Sequence, residues 1–244
     1  MIDTHTHLDL YSDSLKIIEK VNKDNIFTLA VTTSPRAWVA TSKVFKKYKN
    51  IYVSVGLHPE VVDIKVNEVD LLIDCIKNTN FIGEVGIDGS SRFSKSLSLQ
   101  ISVFEHVLQE CEAQNGKIIS IHSRAAESTI LNLLSKYSNC GTPILHWFTG
   151  QVQELKIAIE LDCWFSINPI MCNTKKGIAL IKKMPKNRIL PESDGPFTTL
   201  KNKTIYPWEA IHIVTTLKEI WNCSHDDVIA QLKANLYILL GETT

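Results

Sequence analysis

Hydrophobic and polar positions along the chain alternate between two periods. Short β-branched and aromatic runs cover 1–4, 27–32, 51–56, 81–87, 117–121, 142–147, 163–167 and 188–191, with the length and composition of strands. Between them, apolar residues recur every three to four positions over 13–23, 35–49, 68–78, 97–113, 125–138, 152–161 and 175–184, and again over 207–221 and 225–239. That spacing predicts helices with one buried face. Leu97, Ile101, Phe104 and Leu108 mark such a face. Ser34-Pro35 supplies an N-cap and a first-turn proline, and Ser224 with Asp227 approximates a capping box. Eight strands alternating with helices predict parallel β-α units. Eight is also the number that closes a barrel, although an open doubly wound sheet has the same alternation. The expectation is an α/β chain forming a single (β/α)8 barrel over 1–244, with an extra C-terminal helix.

Composition narrows the class. The 244 residues are 44% hydrophobic and 21% charged, which excludes a disordered chain, a fibrous repeat and a coiled coil. Lys+Arg and Asp+Glu both count 26, so a globally basic nucleic-acid coat is excluded while a local basic patch is not. The six cysteines are widely spread with no C-x-x-C pair and are expected as free thiols of a reducing compartment. There is no run of 18 apolar residues and no basic segment leading into an apolar one at the N-terminus. No membrane association and a cytoplasmic location are therefore expected. Phosphate-cradling and nucleophile-elbow glycine motifs are absent, so ATP, dinucleotide and serine-hydrolase chemistry lack support.

The metal-type residues fall at strand ends. His5 and His7 close the first strand two residues apart, a spacing that puts both on one face. Glu84 lies in the fourth strand, His122 ends the fifth, His146 lies near the end of the sixth and Asp194 follows the eighth. In a barrel those ends form the catalytic face. Each residue alone is weak, since an H-x-H occurs by chance and a strand Glu can be a paired core carboxylate. Their joint order is specific. Glu84 sits in Phe-Ile-Gly-Glu-Val-Gly-Ile with no Lys or Arg in the strand, so its desolvation calls for a cation. Four imidazoles and two carboxylates exceed what one tetrahedral ion uses. Two divalent ions, Mg, Mn or Zn, would take all six, and paired ions about 3.5–4 Å apart serve phosphoester hydrolysis.

These residues carry a resemblance. I-D-T-H-T-H-L-D (2–9), V-G-L-H-P (55–59), G-E-V-G-I-D (83–88), I-H-S-R (121–124), H-W-F-T-G (146–150) and E-S-D-G-P (192–196) resemble the TatD family of metal-dependent deoxyribonucleases, within the amidohydrolase-like TIM barrels. The resemblance implies a two-metal centre and 3′–5′ exonuclease or endonuclease action on DNA, with RNA as the alternative. It implies that His5 and His7 hold one ion and His122 and His146 the other. Glu84 would bridge, and Asp194 would bind the first ion and take the proton of the attacking water. Gly89, Ala125, Trp147 and Thr149 depart from the family pattern. With the Lys/Asn-rich composition, these departures resemble the QatD branch of a bacterial antiphage system, which implies protein partners.

Substrate contacts are expected from His58, Arg92, Arg124, Lys201 and Lys203. His58 and Pro59 follow the third strand, where the alternative is a histidine that orders a turn. Residues 171–204 hold eight basic side chains against Glu192 and Asp194, suited to tracking phosphates; the helical lysines among them also fit an ordinary solvated face. Trp147 and Phe148 fit either base stacking or the core. His106, His212 and His225 read as structural or surface residues. The rival functions are hydrolysis of a small amide, lactone or modified nucleotide, and a non-catalytic subunit. Related barrels bridge their ions with a carboxylated lysine where Glu84 stands, which favours the nuclease.

Overall fold

The computed structural model describes residues 1–241. The first half of the chain runs β1 (Ile2–Thr6), α1 (Ser14–Lys23), β2 (Phe27–Val31), α2 (Pro35–Phe45), β3 (Ile51–Ser54), α3 (Val69–Ile76), β4 (Phe81–Gly86) and α4 (Leu97–Ala113). It continues β5 (Lys117–His122), α5 (Glu127–Lys136), β6 (Gly141–His146), α6 (Val152–Glu160), β7 (Trp164–Ile167), α7 (Pro169–Cys172), α8 (Lys175–Ile181) and β8 (Ile189–Pro191). A short hairpin, β9 (Thr199–Leu200) and β10 (Lys203–Thr204), precedes α9 (Ile213–Trp221) and α10 (His225–Leu240). Among the described residues no helix is long and apolar enough to cross a membrane.

All eight expected strands form, within one or two residues of the expected bounds. Helix α4 spans 97–113 as expected; Phe104 and Leu108 are buried, while Leu97 and Ile101 are half-buried. Ser34 accepts a hydrogen bond from the Ala37 N–H at 3.4 Å, with Pro35 in the first turn of α2. Ser224 and Asp227 form the expected reciprocal cap of α10. The helix expected over 207–221 opens instead as a 3-10 turn over Pro207–His212, with the Glu209 carboxylate accepting from the Tyr206 N–H at 2.9 Å. Helix α7 and the β9–β10 hairpin were not expected. Four residues are too few to show a period, although Asn168-Pro169 is a cap and first-turn signal, and Asn168 Oδ1 does accept from the Met171 N–H at 3.0 Å.

The chain divides into two compact units. One comprises 1–30, 48–51 and the chain from Trp164 onward. Within it β1 pairs with β2 and β7 with β8, all parallel. Thr4 Oγ1 donates to the Pro191 carbonyl at 3.0 Å, the Asp194 N–H to the His5 carbonyl at 2.9 Å, and the His7 N–H to the Gly195 carbonyl at 2.8 Å, which ties β8 and its loop to β1. The other unit comprises 31–47 and 52–163. Its strands β4, β5 and β6 are consecutive and parallel, and Val55, just past β3, bridges to Ile82. Ile82, Ile119, Ile121, Ile144 and Leu145 are inaccessible, as strands covered on both faces require.

Two strands break register. On β1 the partners step from Asp3↔Thr28 to Thr6↔Ala30, and on β4 from Ile82↔Ile119 to Val85↔Ile121. Each strand therefore carries one extra residue, a bulge. The first falls at Thr4–His5 and the second at Gly83–Glu84.

Candidate metal centre

In the unit built on β4–β6, the Glu84 carboxylate is 2% exposed and stands on the β4 bulge. Its Oε1 lies 2.8 Å from His122 Nδ1, 3.1 Å from His146 Nε2 and 3.2 Å from His58 Nε2. His122 reaches on with Nε2 to Asp88 Oδ2 at 3.0 Å. The rings of His122 stand 5.0 Å from His58 and 5.8 Å from His146, centroid to centroid. Burial pushes the Glu84 carboxyl up, but His58, His146 and His122 outweigh it and hold the group well below the usual carboxylate range. Burial opposes the charge on His122 too, yet Asp88 and Glu84 raise its pKa. Burial likewise acts against ionisation of Asp88, and His122 and Ser90 reverse it.

His58 is fixed differently from the other two. Its Nδ1 accepts a hydrogen bond from the Glu60 N–H at 3.1 Å. A neutral imidazole with Nδ1 engaged as acceptor carries its proton on Nε2. His58 therefore faces Glu84 as a hydrogen-bond donor, while His122, His146 and Glu84 are the groups that could donate lone pairs to an ion.

Close backbone approach makes this cluster. A Cβ on Gly86, at φ +136°, would lie 2.1 Å from the His122 carbonyl oxygen, and one on Gly56 would lie 2.3 Å from that of Glu84. The strand-end turns carry left-handed residues other than glycine: Ala125 at φ +52°, after His122-Ser-Arg, and Trp147 at +39°, after His146. A bulky residue there is a genuine outlier, and such strain concentrates at functional sites.

In the unit built on β1 and β8, His5 and His7 are buried with rings 5.5 Å apart, T-shaped. Asp194 Oδ1 lies 3.7 Å from His5 Nε2 and 3.9 Å from His7 Nε2. Those separations exceed a hydrogen bond and suit three ligand atoms about 2.0–2.2 Å from one shared ion. Asp194 is also left-handed, at φ +48°. Beneath it, Asp3 accepts from Ser193 Oγ at 2.6 Å, the Ser193 N–H at 2.9 Å and the His5 N–H at 3.3 Å. Burial pushes Asp3 up to about 8 against those hydrogen bonds. Glu192 is buried and accepts from Ser166 Oγ and, at 2.9 Å, from Asn168 Nδ2.

The structure thus groups His58, Glu84, His122 and His146 in one unit, and His5, His7 and Asp194 in the other. It adds Asp88 and Asp3, to which sequence reasoning gave no role. Arg92 and Arg124 are exposed, the first with its guanidinium 5.0 Å from the Phe93 ring. Lys201 and Lys203 are exposed on the hairpin, whose turn residues Lys201 and Asn202 are both left-handed, at φ +52° and +62°, the type I′ pattern. Lys175, Lys176, Lys182, Lys183 and Lys186 are exposed on and after α8. Phe148 is 1% exposed and belongs to the core. His106, His212 and His225 lie on the surface, and all six cysteines are free thiols.

Comparison with known proteins places this arrangement. The family described as TatD related DNase matches residues 2–241. The human protein named deoxyribonuclease TATDN3 is 25% identical over 94% of this chain and 90% of its own length. The 3′-5′ ssDNA/RNA exonuclease TatD of Edwardsiella piscicida is 32% identical over 48% of this chain and 45% of its own. The crystal structure of YjjV, a TatD homologue from Escherichia coli, superposes with a TM-score of 0.86 at 19% identity, covering 98% of this chain and 97% of that one. That likeness shows the TIM-barrel fold. The chain belongs to the TatD family of metal-dependent hydrolases and DNases.

Proposed function

We propose that this chain is a two-metal nuclease that hydrolyses phosphodiester bonds of DNA, with a preference for single strands and 3′ ends. The observation that carries this is Glu84: three imidazole nitrogens lie within 3.2 Å of one oxygen of a buried carboxylate. Imidazole nitrogen and carboxylate oxygen together suit Zn, Mn or Fe, and Mg where water completes the shell. Glu84, His122 and His146 would hold one ion, and His5, His7 and Asp194 the other. The bridging role for Glu84 is the one the family resemblance implies. Bound divalent ions would supply an acidified water and neutralise charge developing on the phosphoryl group.

The chain's own residues do the rest. Asp194 orients the attacking water and accepts its proton. His58, held as the Nε2–H tautomer, has one proton to give: to Glu84 in the free protein, and to a phosphate oxygen once Glu84 serves an ion. Arg92, Arg124, Lys201 and Lys203 are the proposed phosphate contacts, and guanidinium grips phosphate bidentately. The exonuclease relative supports the strand preference, and the match over 2–241 supports one catalytic domain. The antiphage setting rests on the QatD-like departures at Gly89, Ala125, Trp147 and Thr149.

The test is metal content beside turnover. Protein reloaded with Mg, Mn or Zn should hold up to two ions per chain and shorten end-labelled single-stranded DNA from its 3′ end. Glu84→Ala should lose bound metal and activity together. Metal-loaded wild type that leaves DNA and RNA intact but hydrolyses a small ester or lactone would replace the nuclease with its main rival.

A further inference from the structure

Three residues beyond Asp194, Phe197 keeps 63% of its surface in solvent, the most exposed aromatic side chain among the described residues. A single exposed apolar residue is ordinary. Three observations set this one apart. Its ring meets His7 T-shaped, centroids 4.9 Å apart and planes at 83°. Its backbone is pinned: the N–H groups of Phe197 and Thr198 donate to the Asp194 carbonyl at 3.1 and 3.2 Å, and Thr198 Oγ1 donates to the Ser193 carbonyl at 2.6 Å. Two residues on begins the hairpin that carries Lys201 in its turn and Lys203 at the start of β10. A firmly anchored aromatic residue therefore packs on one proposed metal ligand and leads, along the chain, into a hairpin with two exposed ammonium groups. A nucleotide has the matching parts: a flat base beside a phosphate that is drawn to cations.

We propose that the solvent-facing part of Phe197 is the platform on which an unpaired base of the substrate strand stacks. This rests on the nuclease reading and deepens it. Stacking on an aromatic ring accepts any base, because every base has a π-face, and it needs the base to be free of its partner strand. The chain would then select unpaired ends without selecting sequence. The alternative for Phe197 is a cap that keeps water from His7 and has no dealings with substrate.

The experiment compares two octamers with identical phosphates, one of thymidines and one of abasic tetrahydrofuran units, each labelled at the 5′ end. Binding is read by fluorescence anisotropy in a chelating buffer, so that nothing is cleaved. Wild type, Phe197→Ala and Phe197→Trp are measured, with thermal melting as a check on folding. In wild type the thymidine octamer should bind more tightly than the abasic one. In Phe197→Ala that ratio should fall about tenfold, within the range for loss of one aromatic stack, while Phe197→Trp should preserve it. An unchanged ratio, or affinities for both octamers falling in parallel, overturns the platform and leaves Phe197 as a cap. So does wild type that binds both octamers equally or neither, since stacking needs no ion. Turnover separates the two levels: if the metal-loaded protein still shortens DNA, only the platform has failed, and if it does not, the nuclease reading has failed with it.

Discussion

His122 stands between two carboxylates, with Nδ1 2.8 Å from Glu84 and Nε2 3.0 Å from Asp88. One nitrogen is free for an ion only if the other is held, and Asp88 is the group that holds it. Asp88 is itself fixed, accepting from the Ser90 N–H at 2.9 Å and giving its own N–H to Gln100 Oε1 at 2.8 Å. Such carboxylate–histidine pairs set the tautomer and basicity of the ligand. Asp88→Asn should therefore keep the fold and weaken metal binding by about 10–100-fold, measured by competition with a chelator. Unaltered affinity would make Asp88 a turn residue only. The proposed ligands His5, His7, Glu84, His122, His146 and Asp194 stand out in the sequence because metal-type residues at successive strand ends form a pattern along the chain. Asp88 does not, because a single acid carries no spacing signal until the fold brings His122 to it. Phe197 escaped for the same reason: its neighbour His7 lies 190 residues away in the chain.

At the scale of elements, both strands that carry the early proposed ligands are bulged at that residue, β1 at Thr4–His5 and β4 at Gly83–Glu84. A bulge re-aims one side chain without disturbing the rest of the strand. Strand identity was readable from β-branched runs, but register depends on partners distant in sequence, so the bulges were not. Gly86 marks where β4 comes closest to His122. Gly86→Ala should cost about 2–4 kcal/mol, the sum of a left-handed side chain and overpacking, and should lower bound metal, read by melting and elemental analysis together. A wild-type melting temperature would show that the two strands can part at no cost. The β9–β10 hairpin presents Lys201 and Lys203 from a tight turn. Replacing both with alanine should reduce the slope of log affinity for single-stranded DNA against log salt by about 1.4, at about 0.7 per phosphate contact. An unchanged slope would return both lysines to ordinary surface.

For the whole molecule, burial of neutral acids limits stability at high pH. Burial, and after it the nearby charge of Glu112, raises Cys140 from 9.0 to about 11, and burial raises Cys172 to about 11. Cys111 and Tyr11 are pushed up further, by burial first and by Cys140 and Asp3 respectively. In the unfolded chain these groups ionise near pH 9–10, whereas the folded chain keeps their protons. Between about pH 9 and 11 the unfolded state binds fewer protons, so stability present below that window is lost as pH rises through it. The loss should be on the order of 2 kcal/mol per thiol, or several degrees of melting temperature between pH 8.5 and 10.5 by calorimetry. Cys140→Ala should flatten part of that fall, and a level curve would refute the burial account. The alternation that predicted a barrel was legible across the whole chain, because strand and helix periods are local. The partition into units was not, since one unit joins 1–30 to the chain beyond Trp164. That partition has a consequence for synthesis. Ribosomes add about 5–20 residues per second, and Asp194 follows His7 by 187 residues (194 − 7), so roughly 10–40 s separate their appearance. Glu84 and its histidines are all made by residue 146. The imidazole pair that leaves the ribosome first is thus the last to gain its carboxylate, and on a nascent chain it is open to whatever metal the cell supplies.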